Sequence, residues 1–340
     1  MPVWSLGPIL SPRLKFWAKA GAIAAALLLL IAGAAVLGGI FRLDRPGPLQ
    51  ADTTIIVERG ASLPAIAQNL HSGGVIDDDF LFRLAARFYR VSRSLKAGEY
   101  AFPARVSMGG VIDILVSGET VIRQFTVPEG LTSAEVATLL VEVEGLVGEL
   151  DGVPEEGSLL PETYNYAWAD TRPDIVGRMQ KAMAEALDEL WPTRAEGLPF
   201  DTPEEAVILA SIVEKETGVP DERPLVAGVF VNRLRRGMRL QSDPTVVYAL
   251  TGGTGPLDRS LRSRDLRVDN PYNTYGNHGL PPGPIANPGR ASLEAVLNPA
   301  ETEYLYFVAD GTGGHAFART LAEHNKNVAK WRRIRRTINR

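Results

Sequence analysis

Two glutamates stand one residue apart at the end of the stretch TPEEAVILASIVEKETG, residues 202–218. The side chains before them are apolar almost all round, which is the pattern of a buried helix. At ~100° per residue, Glu216 falls in line with Leu209, Ile212 and Val213, whereas Glu214 falls over Val207, Ala210 and Ser211. A carboxyl group on the heavier apolar stripe loses hydration, and desolvation raises its pKa. The negative end of the helix dipole pushes the same way. A carboxylic acid that keeps its proton near neutral pH is what a glycosidase-type general acid needs. The same placement would also serve a glutamate that caps a lysine or a backbone group at the rim of the core.

The remaining chemistry narrows the choice. The chain has no cysteine, which excludes thiol catalysis, disulfides and cysteine zinc sites. His71, His278, His315 and His324 lack metal-ligand spacing, and no phosphate loop, GxSxG, HExxH or dinucleotide fingerprint occurs, so no cofactor is called for. A net charge of -4 does not suggest a nucleic-acid partner. The loops after residue 216 are rich in amides and tyrosines, a composition suited to a polyhydroxylated substrate. Glu162, beside Tyr164 and Tyr166, could line a sugar cleft or lie on a surface turn.

The elements that must position these groups are signalled locally. Thr202 with Glu205 forms a capping box, Pro203 suits the first helical position, and Gly218 suits a left-handed residue that ends a helix. A helix over 175–190 leads into this stretch, and another runs from near Asp221 to Arg235. The Gly- and Arg-rich loop 252–269 is long enough to be functional. The Pro/Gly run 279–289 sets a backbone path rather than a core element. A strand over 304–308 and a helix carrying His324 and a basic tail end the chain.

The N-terminal part reads differently. Ala20 to Phe41 is an uninterrupted apolar run of 22 residues, which would span ~33 Å as a helix. Arg13, Lys15 and Lys19 precede it, so the N-terminus is expected in the cytoplasm. The run is too long for a cleaved signal peptide. It predicts a single-pass anchor in the inner (cytoplasmic) membrane, with everything after Phe41 outside the cytoplasm. A strand over 53–57, a helix capped by Ser62 and the glycine pair 73–74 follow; this resembles the first half of a LysM module, a small glycan-binding fold. A second copy starts at Val127, offset by 70 residues, with Thr132 matching Ser62. A helix over 80–89 and a strand over 95–102 lie between the copies, and the basic run Arg83 to Lys96 reads as a solvated face.

The expected architecture is α+β. It comprises a cytoplasmic tail over 1–19, a transmembrane helix over 20–41, a LysM-like α+β subdomain over 42–140, and a mixed α/β catalytic domain over 141–340 with a buried catalytic helix.

Several ordered motifs carry a more specific likeness. They are SIVEKET at 211–217, NRL at 232–234, GMRLQSDPT at 237–245, YNTY at 272–275, GLPPGPIA at 279–286 and YLYFVADG at 304–311. Together they resemble the YceG-like (MltG) endolytic murein transglycosylases, over essentially the whole chain. The resemblance implies cleavage of the β-1,4 bond between N-acetylmuramic acid and N-acetylglucosamine within nascent peptidoglycan strands. It maps the catalytic acid onto Glu216 and implies substrate roles for Gln241, Asp243, Tyr272, Asn273 and Tyr275. It also implies peptidoglycan synthases as partners. Glu216-Thr217, Gly237 to Gln241 and Tyr272-Asn273 resemble motifs of other lytic transglycosylases, with threonine for serine, a longer glycine–glutamine spacing and proline for alanine. Two alternatives remain. A lysozyme-type hydrolase would use Asp243 or Glu162 as second carboxylate, and a tethered glycan-binding scaffold would cut nothing.

Overall fold

The computed structural model describes residues 12–338. Most of the expected cytoplasmic tail, residues 1–11, lies outside the described residues. The chain divides into two compact units, Met1–Val121 and Ile122–Arg340.

In the first unit, α1 (Pro12–Leu43) precedes β1 (Thr53–Val57), α2 (Leu63–Ser72), α3 (Asp79–Phe88), β2 (Gly98–Phe102) and α4 (Met108–Ser117). β1 and β2 form an antiparallel pair, from Thr53 opposite Phe102 to Val57 opposite Gly98. The helices begin on side-chain caps: Ser62 accepts from Ala65 N–H, Asp78 from Leu81 N–H, and Ser107 from Gly110 N–H. Leu70, Phe82, Tyr100, Phe102 and Leu115 fill the core. Taken over the described residues, no helix is long and apolar enough to cross a membrane. The anchor expected at 20–41 falls within α1, where the side chains of Ala32, Ala35, Val36 and Ile40 lie outside the described residues.

The second unit contains β3 (Ile122–Thr126), α5 (Ser133–Glu142), β4 (Thr163–Ala167), α6 (Arg172–Leu190), α7 (Pro203–Glu216), α8 (Arg223–Arg235), α9 (Asp243–Thr251), α10 (Arg290–Leu297), β5 (Tyr306–Ala309), β6 (His315–Ala318) and α11 (Leu321–Ile338). Among the described residues every sheet is a two-stranded antiparallel pair, β1–β2, β3–β4 or β5–β6. The expected mixed α/β domain is therefore a helical body carrying two separate antiparallel strand pairs. The boundary expected at 140/141 differs from the division at 121/122, because β3 pairs with β4 and cannot be parted from it. The repeat is also only partial: Ser62 and Thr132 cap equivalent helices, but α5 is followed by a long loop to β4 rather than by a second helix.

α7 is the centre of this unit's core. Its capping box is formed: Thr202 accepts from Glu205 N–H and the Glu205 carboxylate accepts from Thr202 N–H. Leu209, Ile212 and Val213 are fully buried against Val226 and Phe230 of α8 and Leu293 and Val296 of α10. Burying a residue of this size contributes roughly 1.5–3 kcal/mol. Ser211 is also buried; its hydroxyl donates to Ile208 O (2.7 Å) and accepts Ile285 N–H (3.0 Å), which pins the Pro/Gly run to the helix.

The helix does not end on a left-handed glycine at 218. Thr217 is the C-cap, in extended conformation (φ -142, ψ 131), and its hydroxyl accepts Val219 N–H (3.1 Å). That local bond ends the helix without a positive φ, so Gly218 is free of the role the sequence suggests.

Candidate active site

The two glutamates of the last turn of α7 have opposite fates. The Glu214 side chain is 5% exposed, and each of its carboxylate oxygens accepts a hydrogen bond. It accepts from Arg223 Nη2 (3.3 Å) and from Gly289 N–H (3.0 Å). The same guanidinium reaches Glu129 at 2.9 Å. Glu214 is thus a structural anchor that joins α7, α8 and the start of α10.

Glu216 faces a cleft of about 430 Å³ that it lines with Arg233, Gln241, Asp243, Tyr275 and Tyr306, among others. The residue retains some contact with solvent, while its carboxyl is crowded by protein on most sides. Burial raises its pKa to about 7. The Asp243 charge pushes the same way, while the Ser242 hydrogen bond, His315 and Arg233 oppose it.

Ser242 stands at the N-cap of α9 and makes no cap bond. Its hydroxyl donates instead to Glu216 Oε1 at 2.5 Å. The surrounding turn is fully bonded. Ser242 N–H donates to Thr274 Oγ1 (3.0 Å), Thr245 Oγ1 donates to Ser242 O (2.7 Å), and the two threonine hydroxyls are 2.8 Å apart. A buried polar cluster with each member satisfied holds its geometry rigidly. Gln241, just before it, has φ +54, a left-handed backbone that a non-glycine residue adopts at a cost.

Arg233 forms the cleft's base. Its Nε donates to Leu305 O and its Nη1 to Leu240 O, both at 2.7 Å, and Gln241 Oε1 is 3.5 Å from Nη1. The guanidinium also lies over the Tyr306 ring at 5.3 Å, and Tyr306 stacks on His324 at 5.2 Å. With Tyr275 and Phe307, these rings give the cleft an aromatic side. Tyr275 Oη donates to Asp243 Oδ1 at 2.6 Å; burial and that bond raise the phenol's pKa, so it remains a donor. Asp243 also lines a second groove of about 400 Å³, together with Tyr248, Lys215 and Arg259.

Of the sequence-predicted residues, Glu216, Gln241, Asp243 and Tyr275 come together on one cleft. Three do not. Asn273 is fully buried; its Nδ2 donates to Leu266 O and Val268 O and its Oδ1 accepts Tyr275 N–H, so it shapes the loop from inside. Tyr272 packs against Tyr248, with ring centroids 4.8 Å apart, at the edge of the core. Glu162 is exposed at the end of the β3–β4 pair, its carbonyl accepting Val127 N–H. The YNTY segment runs as turns, and of its four residues Tyr275 lines the cleft. Sequence reasoning missed Ser242, Arg233, Tyr306 and His324. Arg233, Ser242 and Tyr306 stand inside the motifs at 232–234, 237–245 and 304–311, but only Ser242, in the helix start Ser-Asp-Pro, had a local signal for its direction.

The YceG-like family profile matches residues 55–330. The chain is 32% identical over 340 residues to an endolytic murein transglycosylase of Bacillus subtilis (strain 168), covering 89% of this chain and 91% of that one. It is 29% identical over 356 residues to an endolytic murein transglycosylase of Streptococcus pneumoniae (serotype 2, strain D39), covering 89% of this chain and 63% of that longer relative. Its fold matches the crystal structure of a yceG-like protein from Listeria monocytogenes with a TM-score of 0.51 and 31% identity, over 82% of this chain and 99% of that one. The match of profile, relatives and fold over most of the chain places it plainly: it belongs to the YceG-like family.

Proposed function

We propose that the chain is a lytic transglycosylase that cuts peptidoglycan strands internally, with Glu216 as its catalytic acid and base. The observation that carries this reading is a single carboxyl group with a pKa of about 7, hydrogen-bonded by a buried serine and opening on a cleft with an aromatic wall. The names of the Bacillus and Streptococcus relatives agree with it.

Protonated Glu216 gives its proton to the glycosidic oxygen as the bond from C1 of N-acetylmuramic acid breaks, and the N-acetylglucosamine end leaves as an alcohol. The carboxylate then takes the proton of the muramic acid C6 hydroxyl while O6 bonds to C1. A 1,6-anhydro ring forms, and Glu216 ends as it began. No water is activated, so one carboxyl group suffices. Ser242 supports the carboxylate stage, and the Arg233 and Asp243 charges hold the pKa between the two demands. Gln241 and Tyr275 are placed to bind the sugar, and the second groove past Asp243 leaves room for the strand to continue, as internal cutting requires.

Two features of the first unit extend this reading. α1 is the proposed single-pass anchor of the inner membrane, with the N-terminus in the cytoplasm and the chain after Phe41 outside it. Its support is the 22-residue apolar run together with the exposure of Leu28, Leu29 and Leu30, a surface that water disfavours. The order β1–α2–α3–β2 supports a LysM-like glycan-binding role. Substrate would then be nascent strands, with the synthases that polymerise them as partners and cutting as the end of elongation.

Asp243 on the same cleft is the one observation favouring a lysozyme-type hydrolase. Digestion of uncrosslinked glycan strands by the full-length chain, read by mass spectrometry, separates the two. Anhydro ends and their loss in Glu216→Gln support the proposal; reducing ends, heavier by one water, overturn it.

A further inference from the structure

Glu216 is the last residue of its helix, where backbones fray. A carboxyl that must meet a glycosidic oxygen needs that end held, since a misplacement of ~1 Å can cost about 100-fold in rate. The holding contacts come from outside α7. Thr217 Oγ1 donates to Glu222 Oε2 (3.4 Å). Glu222 Oε1 accepts His315 N–H (2.8 Å), and Glu222 Oε2 lies 2.7 Å from His315 Nδ1. Both side chains are 16% exposed. The approach is close: a Cβ on Gly314 would stand 2.5 Å from Glu222 Oε1. The His315 ring packs edge-on against Phe307 at 5.3 Å, and Phe307 lines the Glu216 cleft.

We infer that Glu222 and His315 are a positioning pair for the catalytic acid, tying the cap of α7 to the start of β6 and thereby holding the Glu216 carboxyl on Ser242. The inference rests on the transglycosylase reading of Glu216. The pair acts through geometry: it fixes where the end of α7 stands relative to the cleft wall that Phe307 lines.

The test uses the full-length chain on uncrosslinked glycan strands. His315→Ala and Glu222→Ala are expected to lower kcat about tenfold or more, with KM changed less than about twofold. His315→Asn puts an amide N–H where Nδ1 stands and is expected to recover most of that turnover. A scaffolding role alone would lower the melting temperature and the active fraction while leaving kcat per folded molecule at the parent value, and this result overturns the inference, as does a His315→Asn variant no more active than His315→Ala. A parent chain that releases no 1,6-anhydro product sinks the transglycosylase reading itself. Anhydro product formed equally well by the parent and by His315→Ala sinks only the positioning pair.

Discussion

Ser242 Oγ lies 2.5 Å from Glu216 Oε1 and donates to it, although its place at the head of α9 would ordinarily commit that hydroxyl to the helix. The helix gives up about 1 kcal/mol of capping, and the carboxyl gains a fixed orientation. Hydrogen bonds to charged groups contribute about 1.5–3 kcal/mol. Ser242→Ala is therefore expected to lower kcat by about 10- to 100-fold with little change in melting temperature. Because the lost bond favoured the carboxylate, the Glu216 pKa should rise and the alkaline limb of the rate profile should shift upward. A limb that moves down contradicts this geometry.

The raised pKa of Glu216 also has a cost in stability. In the unfolded chain the group ionises near the ordinary glutamate value of 4.5, and in the folded protein at about 7. Below pH ~4.5 both forms are protonated and nothing is lost. Between there and pH ~7 the unfolded state ionises first, so folding loses up to about 3 kcal/mol. Glu216→Gln removes that penalty. Thermal melts should show the variant close to its parent at pH 4 and more stable at pH 8, while its activity is gone.

Glu214 answers to different physics. Removing one partner of a buried ion pair leaves the other uncompensated, at about 3–5 kcal/mol. Arg223→Met should destabilise by that order, since it strands Glu214. Glu214→Gln keeps the hydrogen-bonding shape and should cost less, about 1–3 kcal/mol. In both variants kcat per folded molecule should remain near the parent value. A turnover loss in well-folded Glu214→Gln comparable to that of Glu216→Gln would reverse the assignment of the two residues.

Asn273→Ala is expected to act on the loop and to reach the sugar only through it. The change leaves the Leu266 and Val268 carbonyls without their donor, which should cost about 1–3 kcal/mol. The same change at Tyr275 should spare stability by comparison and raise KM, because Tyr275 lines the cleft. Melting curves and KM measured side by side check the pair.

The chain alone determined α7 almost completely. Its capping box, its proline start and its apolar stripe are local rules, and they singled out Glu216 over Glu214 by angle around one helix. The motifs also carried the family. What the chain alone did not reveal was each neighbour's direction in space. Asn273 and Tyr272 belong to the same motif as Tyr275, yet only Tyr275 reaches the cleft, because side chains along an irregular loop point wherever its carbonyls require. Arg233, Tyr306 and His324 are 17 to 108 residues from Glu216 in sequence and meet it only through the packing of α8, β5 and α11. Helix ends and periodicity are short-range physics and can be read residue by residue. The cleft is a product of long-range burial, and only the folded core could bring its walls together.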